Sequence, residues 1–350
     1  MSKRNFFISF IILSNLSFPV LALEVDSFTG RFNQMAALQD SAQILNLFTN
    51  KQMQKAMEKA NLQGHCSVRA LYLELWNNLA HHPIGVVEHF AEKSPNVSHY
   101  LVESKKSVYA GAPTFLNERR LPQIADMFIL TGWFGPVIKL EGQLIGTDKL
   151  GHFFSEGWGY FLKGNLRDAL LYGVQDEFGM DGAIGSGVFS YADLSTNYDG
   201  LRFWRQILDG HNPYFICENS KFLQVRNFDW LNYVSASWDE GINCSTFSNL
   251  SMNNSVKGRV EKLGLSCPVA PKACGEIVDD PCAVFYVNPG CYKVAGVNVA
   301  AKALACFEKF KTENWNTPAE NGLTKFDLRK IDGDRILGVL GLPFHFLLAH

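Results

Sequence analysis

Eight cysteines constrain this chain more than any other feature: none precedes Cys66, and six of the eight crowd between Cys244 and Cys306. Ahead of them, residues 1–22 carry Lys3 and Arg4, an apolar run from Phe6 to Leu13, then Pro19 and small-residue spacing through Val20 and Ala22. That layout predicts a secretory signal peptide cut after Ala22. An even number of cysteines in an exported chain predicts disulfides. Cys66, Cys217, Cys244, Cys267, Cys274, Cys282, Cys291 and Cys306 are therefore all expected in bridges. No C-x-x-C occurs, and gaps of six, seven and eight residues fit neither a zinc ribbon nor a finger. If the last six close among themselves, Cys66 pairs with Cys217 and staples the two ends of the larger domain. No cysteine marks the cleavage site for lipid attachment, so the expected location is the periplasm or the outside of the cell.

The remaining pattern is mostly helical. Hydrophobic residues make up 47% of the 350 and charged residues 19%, which excludes disorder and leaves enough chain for about two domains. Apolar stripes predict a two-helix opening segment over Gln39–Leu62, a Ser67-capped helix through Leu79, a helix from Ile84 to Lys93 and another from Val299 to Lys311. Ile124–Leu140 reads as buried core helix or turn, being too short to span a bilayer. Ser235–Gly296 is rich in Asn, Ser, Gly and Pro, with short β-prone runs at Ala283–Val287 and Tyr292–Val299. The expected fold is thus mainly α: a compact helical domain over residues 23–234, a smaller disulfide-rich subdomain containing loops and β-structure over 235–311, and a C-terminal segment, 312–350, docked on the helical core. With 32 basic against 34 acidic residues there is no positive field, and nucleic acid is not an expected partner.

The chemistry concentrates between Gly146 and Trp204. Asp148, His152 and Glu156 recur every fourth residue, and at about 100° per residue all three share one face of a regular helix. Ser190 caps a second predicted helix in which Asp193, Asn197 and Gly200 share a face. Glu177 and Asp181 lie between them in a glycine-punctuated segment. Aromatic neighbours such as Phe153, Phe154 and Trp158 place these polar groups in an apolar setting, where a carboxylate needs a partner or shifts its pKa. The functional reading makes His152, Asp148, Glu177 and Asp193 catalytic, gives Lys149 and Asn197 to substrate binding, and offers His152, Asp148, Glu156 and Asp193 as metal ligands. That donor mixture suits a divalent ion such as zinc, manganese or magnesium. The competing reading is structural: Asp148 and Asp193 complement helix starts, and a buried Asp/His/Asn network fixes helix packing.

TDKLGHF, the downstream DEFG and FSYADLSTNYDG together resemble the D-K-x-x-H-F … E … S-x-x-D-x-x-x-N-x-x-G pattern of the VanZ-like and YfiM-like bacterial envelope proteins. Residue by residue the resemblance selects Asp148, Lys149, His152, Glu177, Ser190, Asp193, Asn197 and Gly200. It implies a compact helical unit and a role in the cell envelope, and it supplies no reaction.

Two functional expectations follow. One is an exported hydrolase acting on a lipid or phosphoester-type envelope component, metal-assisted, through the Asp/His/Glu/Asp set. The other is a non-enzymatic periplasmic structural or binding protein. Peripheral membrane contact through the apolar run Ile336–Ala349 is compatible with both. A second cluster, His81, His82, Glu88 and His89, reads as helix-end solvation rather than ligation.

Overall fold

Helix dominates the computed structural model, which describes residues 24–80, 85–112, 135–179, 182–183 and 186–317. The expected signal peptide, Ile124–Phe134, His81, His82, Asp181 and the run Ile336–Ala349 lie outside the described residues. Gln39–Leu62 forms one helix, Ala42–Asn61, instead of two, since Gln, Lys, Met and Ala favour helix and nothing between Phe48 and Met53 breaks it. Val68–Leu79 follows, with Ser67 Oγ accepting from the Ala70 amide as its cap, and then Val86–Lys93.

The end of the Ile124–Leu140 stretch is a strand rather than a helix. Val137–Leu140 pairs antiparallel with Gln143–Gly146, and its other edge pairs with His99–Tyr100. Glu141 and Gly142 both take positive φ, 49° and 79°, the conformation a two-residue hairpin turn demands. The hairpin matters for function because it runs directly into Asp148, with the Thr147 amide held on the Pro136 carbonyl at 3.0 Å.

From Asp148 to Phe161 the chain stays helical in three pieces: Asp148–Gly151, a π-helical turn at His152–Glu156, and Gly157–Phe161. This run packs against the helix Tyr191–Arg205 at van der Waals limit. A β-carbon on Gly157 would lie 2.5 Å from Gly200 Cα, and one on Gly200 would lie 2.0 Å from the Phe153 carbonyl oxygen. The Trp204 indole donates to the Phe154 carbonyl at 2.9 Å. Phe153, Phe154, Phe203, Phe228 and Trp230 fill the space behind this crossing, all buried.

All eight cysteines are bridged: Cys66–Cys217, Cys244–Cys267, Cys274–Cys291 and Cys282–Cys306. The last six close among themselves, the condition under which Cys66 pairs with Cys217. The β-prone runs of this region are helical, however. Pro281–Phe285 is 3₁₀ and Pro289–Ala295 is α, because Asp280 and Asn288 cap them and each is followed by a proline at the first helical position. One buried cluster runs from Phe153 through Trp238 and Ile242 to Cys274 and Tyr292, across residue 235. Residues just past the helix Val299–Phe310 return to the helical core: Trp315 donates its amide to Gly164 and its indole to Phe161, and Glu313 pairs with Arg205.

The glycine contact sets the helix crossing, so Gly200→Ala should destabilise by about 1–3 kcal/mol through overpacking. Gly258→Ala, in a helix where a new β-carbon meets nothing, should stabilise by about 0.5–1 kcal/mol. Urea titration of both variants checks the contrast; equal effects would mean that the crossing has slack.

Candidate functional site

Two helix starts converge. Asp148 opens the run that follows the hairpin, its Oδ1 lying where a β-carbon on Gly146 would sit at 2.1 Å, and Oδ1 has no hydrogen-bond partner among the described residues. Asp193 stands in the first turn of Tyr191–Arg205, its amide donating to the Ser190 cap at 3.2 Å. Ser190's own amide donates to Glu177 Oε1 at 2.6 Å, so a buried acid closes the second start.

Lys149 joins them. Its ammonium is completely buried and touches Asp193 Oδ1 at 2.5 Å, Glu240 Oε1 at 2.6 Å and Asp148 Oδ2 at 2.7 Å. Burial alone pulls a lysine down, but the charges of Asp148, Asp193 and Glu240 outweigh it and hold Lys149 well above the usual range. For Asp193, desolvation pushes up, while His152 and Lys149 and the bonds from Lys149 and Ser190 push down harder, leaving it below the ordinary carboxyl range. The surrounding glutamates go the other way. Burial, reinforced by Asp148 and Asp193, raises Glu240 to about 8 against the pull of Lys149. Burial likewise lifts Glu24 and Glu177 well above their usual values, with neighbouring acids adding to it. The cluster therefore pushes its acids in opposite directions, Asp193 down and Glu24, Glu177 and Glu240 up.

His152 lies between this cluster and the solvent, with 18% of its side chain exposed. Its Nε2 is 3.4 Å from Asp193 Oδ2, the oxygen not held by Lys149. On the other side of the ring, the Asn197 amide nitrogen faces Nδ1 at 3.1 Å, where it also donates to the His152 carbonyl at 3.3 Å and the Asp193 carbonyl at 3.1 Å. Three acceptors fix that orientation, and it assigns the His152 proton to Nε2, facing Asp193. Tyr160 in turn hydrogen-bonds the Asn197 side chain.

One ligand atom each from Asp148, His152 and Asp193 lie within 4.8 Å of one another. Two carboxylates and an imidazole fit zinc, manganese or magnesium, and the unpartnered Asp148 Oδ1 is a further oxygen in need of a positive partner. A metal on His152 Nε2 requires the proton to move to Nδ1 and the Asn197 amide to turn and accept it, at the same 3.1 Å separation.

Of the residues singled out from sequence, the structure brings together Asp148, Lys149, His152, Asp193 and Asn197. Glu156 is not in the cluster; it meets Tyr172 instead. Glu177 is one layer behind, on Ser190. Lys149, expected to reach a substrate anion, has no exposed side-chain surface, so it serves the acids and not an incoming ligand. Glu88 is buried in the helix Val86–Lys93, raised by burial and by Asp148 and Glu92. Three residues escaped the sequence reading. Glu240 supplies the third carboxylate, and Asp239 beside it forms a buried two-armed pair with Arg31 at 2.5 and 3.0 Å. The available signal was two adjacent acids between apolar Trp238 and Ile242. Glu24, held by Ser186 Oγ at 2.6 Å, gave none, sitting just past the expected cleavage point.

Comparison with protein-family models, with curated proteins and with solved structures returned no match.

The raised Glu240 gives a pH test. Folded, it keeps its proton to about 8, whereas the unfolded chain releases it near 4.5, so folding takes up a proton and stability is lost as pH rises between those values. In chelator, the thermal midpoint should fall from about pH 5 to pH 8, each site contributing at most about 1.4 kcal/mol per pH unit. Glu240→Gln should make the fall shallower; an unchanged slope would show that Glu240 is ionised in the folded protein.

Proposed function

We propose that this chain is an exported, envelope-associated hydrolase acting on a lipid or phosphoester-type substrate at Asp148, His152 and Asp193, with a divalent metal ion. The observation that carries the reading is the convergence of these three side chains, from two separate helix starts, on a point bordered by a partly exposed imidazole. The leader-like residues 1–22 and the four disulfides support export.

In this reading each residue has a distinct task. Asp193 stays ionised and takes the Nε2 side of His152, either sharing its proton or standing beside it as a ligand. Asn197, fixed by Tyr160 and two backbone carbonyls, sets the ring plane and the tautomer. Lys149 pairs with Asp148 and helps hold Asp193 below the ordinary carboxyl range. The bound metal would supply Lewis-acid polarisation of a phosphoryl or carbonyl oxygen and a more acidic water.

One feature favours the second reading, a non-enzymatic protein whose network only fixes helix packing. Lys149 already provides a cation for three carboxylates, with no exposure at all.

Metal content of purified mature protein, measured with His152→Ala alongside, separates the two. The hydrolase reading expects a stoichiometric divalent ion in the parent, its loss in His152→Ala, loss of bis(p-nitrophenyl) phosphate or short-chain ester cleavage, and a thermal midpoint in chelator within a few degrees of the parent. A metal-free parent whose His152→Ala variant merely melts earlier would establish the packing role.

A further inference from the structure

A cavity of about 760 Å³ opens along the second half of the helix Tyr191–Arg205, between Tyr198, Arg202 and Arg205 and residues 312–316. Its lining includes none of Asp148, His152 and Asp193. Its volume falls within the range of about 300–1,000 Å³ usual for small-molecule sites.

The lining is charged yet balanced. Arg202 and Arg205 contribute two cations, Asp209 and Glu313 two anions. Both guanidinium groups are already positioned: Arg202 on Asp199 at 2.6 Å, and Arg205 on Glu313 at 2.9 Å while lying over the Trp315 ring at 4.7 Å. Gln206 has its carbonyl oxygen taken by Arg226 at 2.8 Å and by Tyr233 at 3.3 Å, which orients the amide. Paired in this way, the groups lose little freedom when a ligand arrives, and each arginine keeps N–H donors beyond those its acid uses.

The ligand class follows from what these groups reject. An anion meets Asp209 and Glu313, a cation meets both arginines, and an apolar molecule strips water from charges while returning no hydrogen bonds. A neutral molecule dense in hydroxyls, each able to donate and accept, satisfies both signs at once. Tyr198 and Trp315, half-buried aromatic residues of the lining, suit the apolar C–H faces of pyranose rings. We infer that this cavity binds a neutral oligosaccharide. The inference stands apart from the hydrolase reading, since none of its residues belongs to the Asp148–His152–Asp193 set.

The test is isothermal titration calorimetry of the full disulfide-bonded chain with chitotetraose and maltotetraose, and with tetragalacturonate and inorganic phosphate as anionic probes. At least one neutral tetrasaccharide should bind saturably, and more tightly than either anion. Asn314→Trp places a bulky ring at the exposed rim and should weaken that binding at least tenfold with the thermal midpoint unchanged. Arg202→Gln, which keeps a donor for Asp199, serves as the second variant if Asn314→Trp folds poorly, and should weaken binding several-fold. Absence of saturable binding by both neutral sugars, preference for an anionic probe, or parent-like affinity in the folded variants would overturn the inference.

Discussion

The ammonium of Lys149, sealed from solvent among Asp148, Asp193 and Glu240, is the interaction on which the rest of the structure depends. Each acid comes from a different part of the chain: the start of the run after the hairpin, the first turn of Tyr191–Arg205, and the segment after Trp238. Desolvating a lysine costs several kcal/mol, and only its nearby carboxylates offset that cost. Removing any one of them weakens the attachment of a whole element. The neighbouring Arg31–Asp239 pair adds a second buried anchor one residue from Glu240, tying the N-terminal turn into the same knot.

Such a knot can form only if backbones come close, and glycine provides that. Gly146 leaves room for the Asp148 carboxyl, and Gly151 leaves room for the buried Glu88. Gly157 and Gly200 let the two site helices touch backbone to backbone. The π-turn at His152–Glu156 belongs to the same geometry. It releases carbonyls from the regular ladder, and the Phe154 carbonyl is taken by the Trp204 indole of the opposing helix. Helix contact and site geometry are therefore one arrangement, since a methyl group at Gly200 would press on the Phe153 carbonyl, one residue from His152.

Much of this was legible beforehand. The Ser67 and Ser190 caps, the fourfold spacing from Asp148 to His152, the pairing of Asp193 with Asn197 on one face, and the bridging of all eight cysteines are local rules or counting arguments. What failed was whatever depended on contacts distant in sequence. Glu156 meets Tyr172, a partner on another helix that residue spacing does not reveal. Lys149 reads as a contact for a substrate anion because its pairing with Glu240, about ninety residues away in a stretch that reads as loop, is not visible in the sequence. The β-prone runs after Asp280 became helices because cap and proline outweighed the branched residues between them. Val137–Leu140 reads as helix or turn because a short apolar run carries no period, while the decisive signal was the turn at Glu141–Gly142.

The opposed shifts of the acids bear on both accounts of the site. A network that existed only for packing would be served as well by neutral groups, because a desolvated charge that merely holds helices together is commonly matched or bettered by apolar residues of similar volume. Here the fold goes further and sorts its acids. Lys149 and His152 hold Asp193 below the ordinary carboxyl range, while burial holds Glu24, Glu177 and Glu240 above it. Pushing neighbouring titratable groups apart in this way is how a site obtains a base and a proton reservoir at one pH. Asp193 occupies the junction: one oxygen faces the sealed ammonium, the other faces the partly exposed imidazole. The packing function ends at the first oxygen, and any chemistry begins at the second.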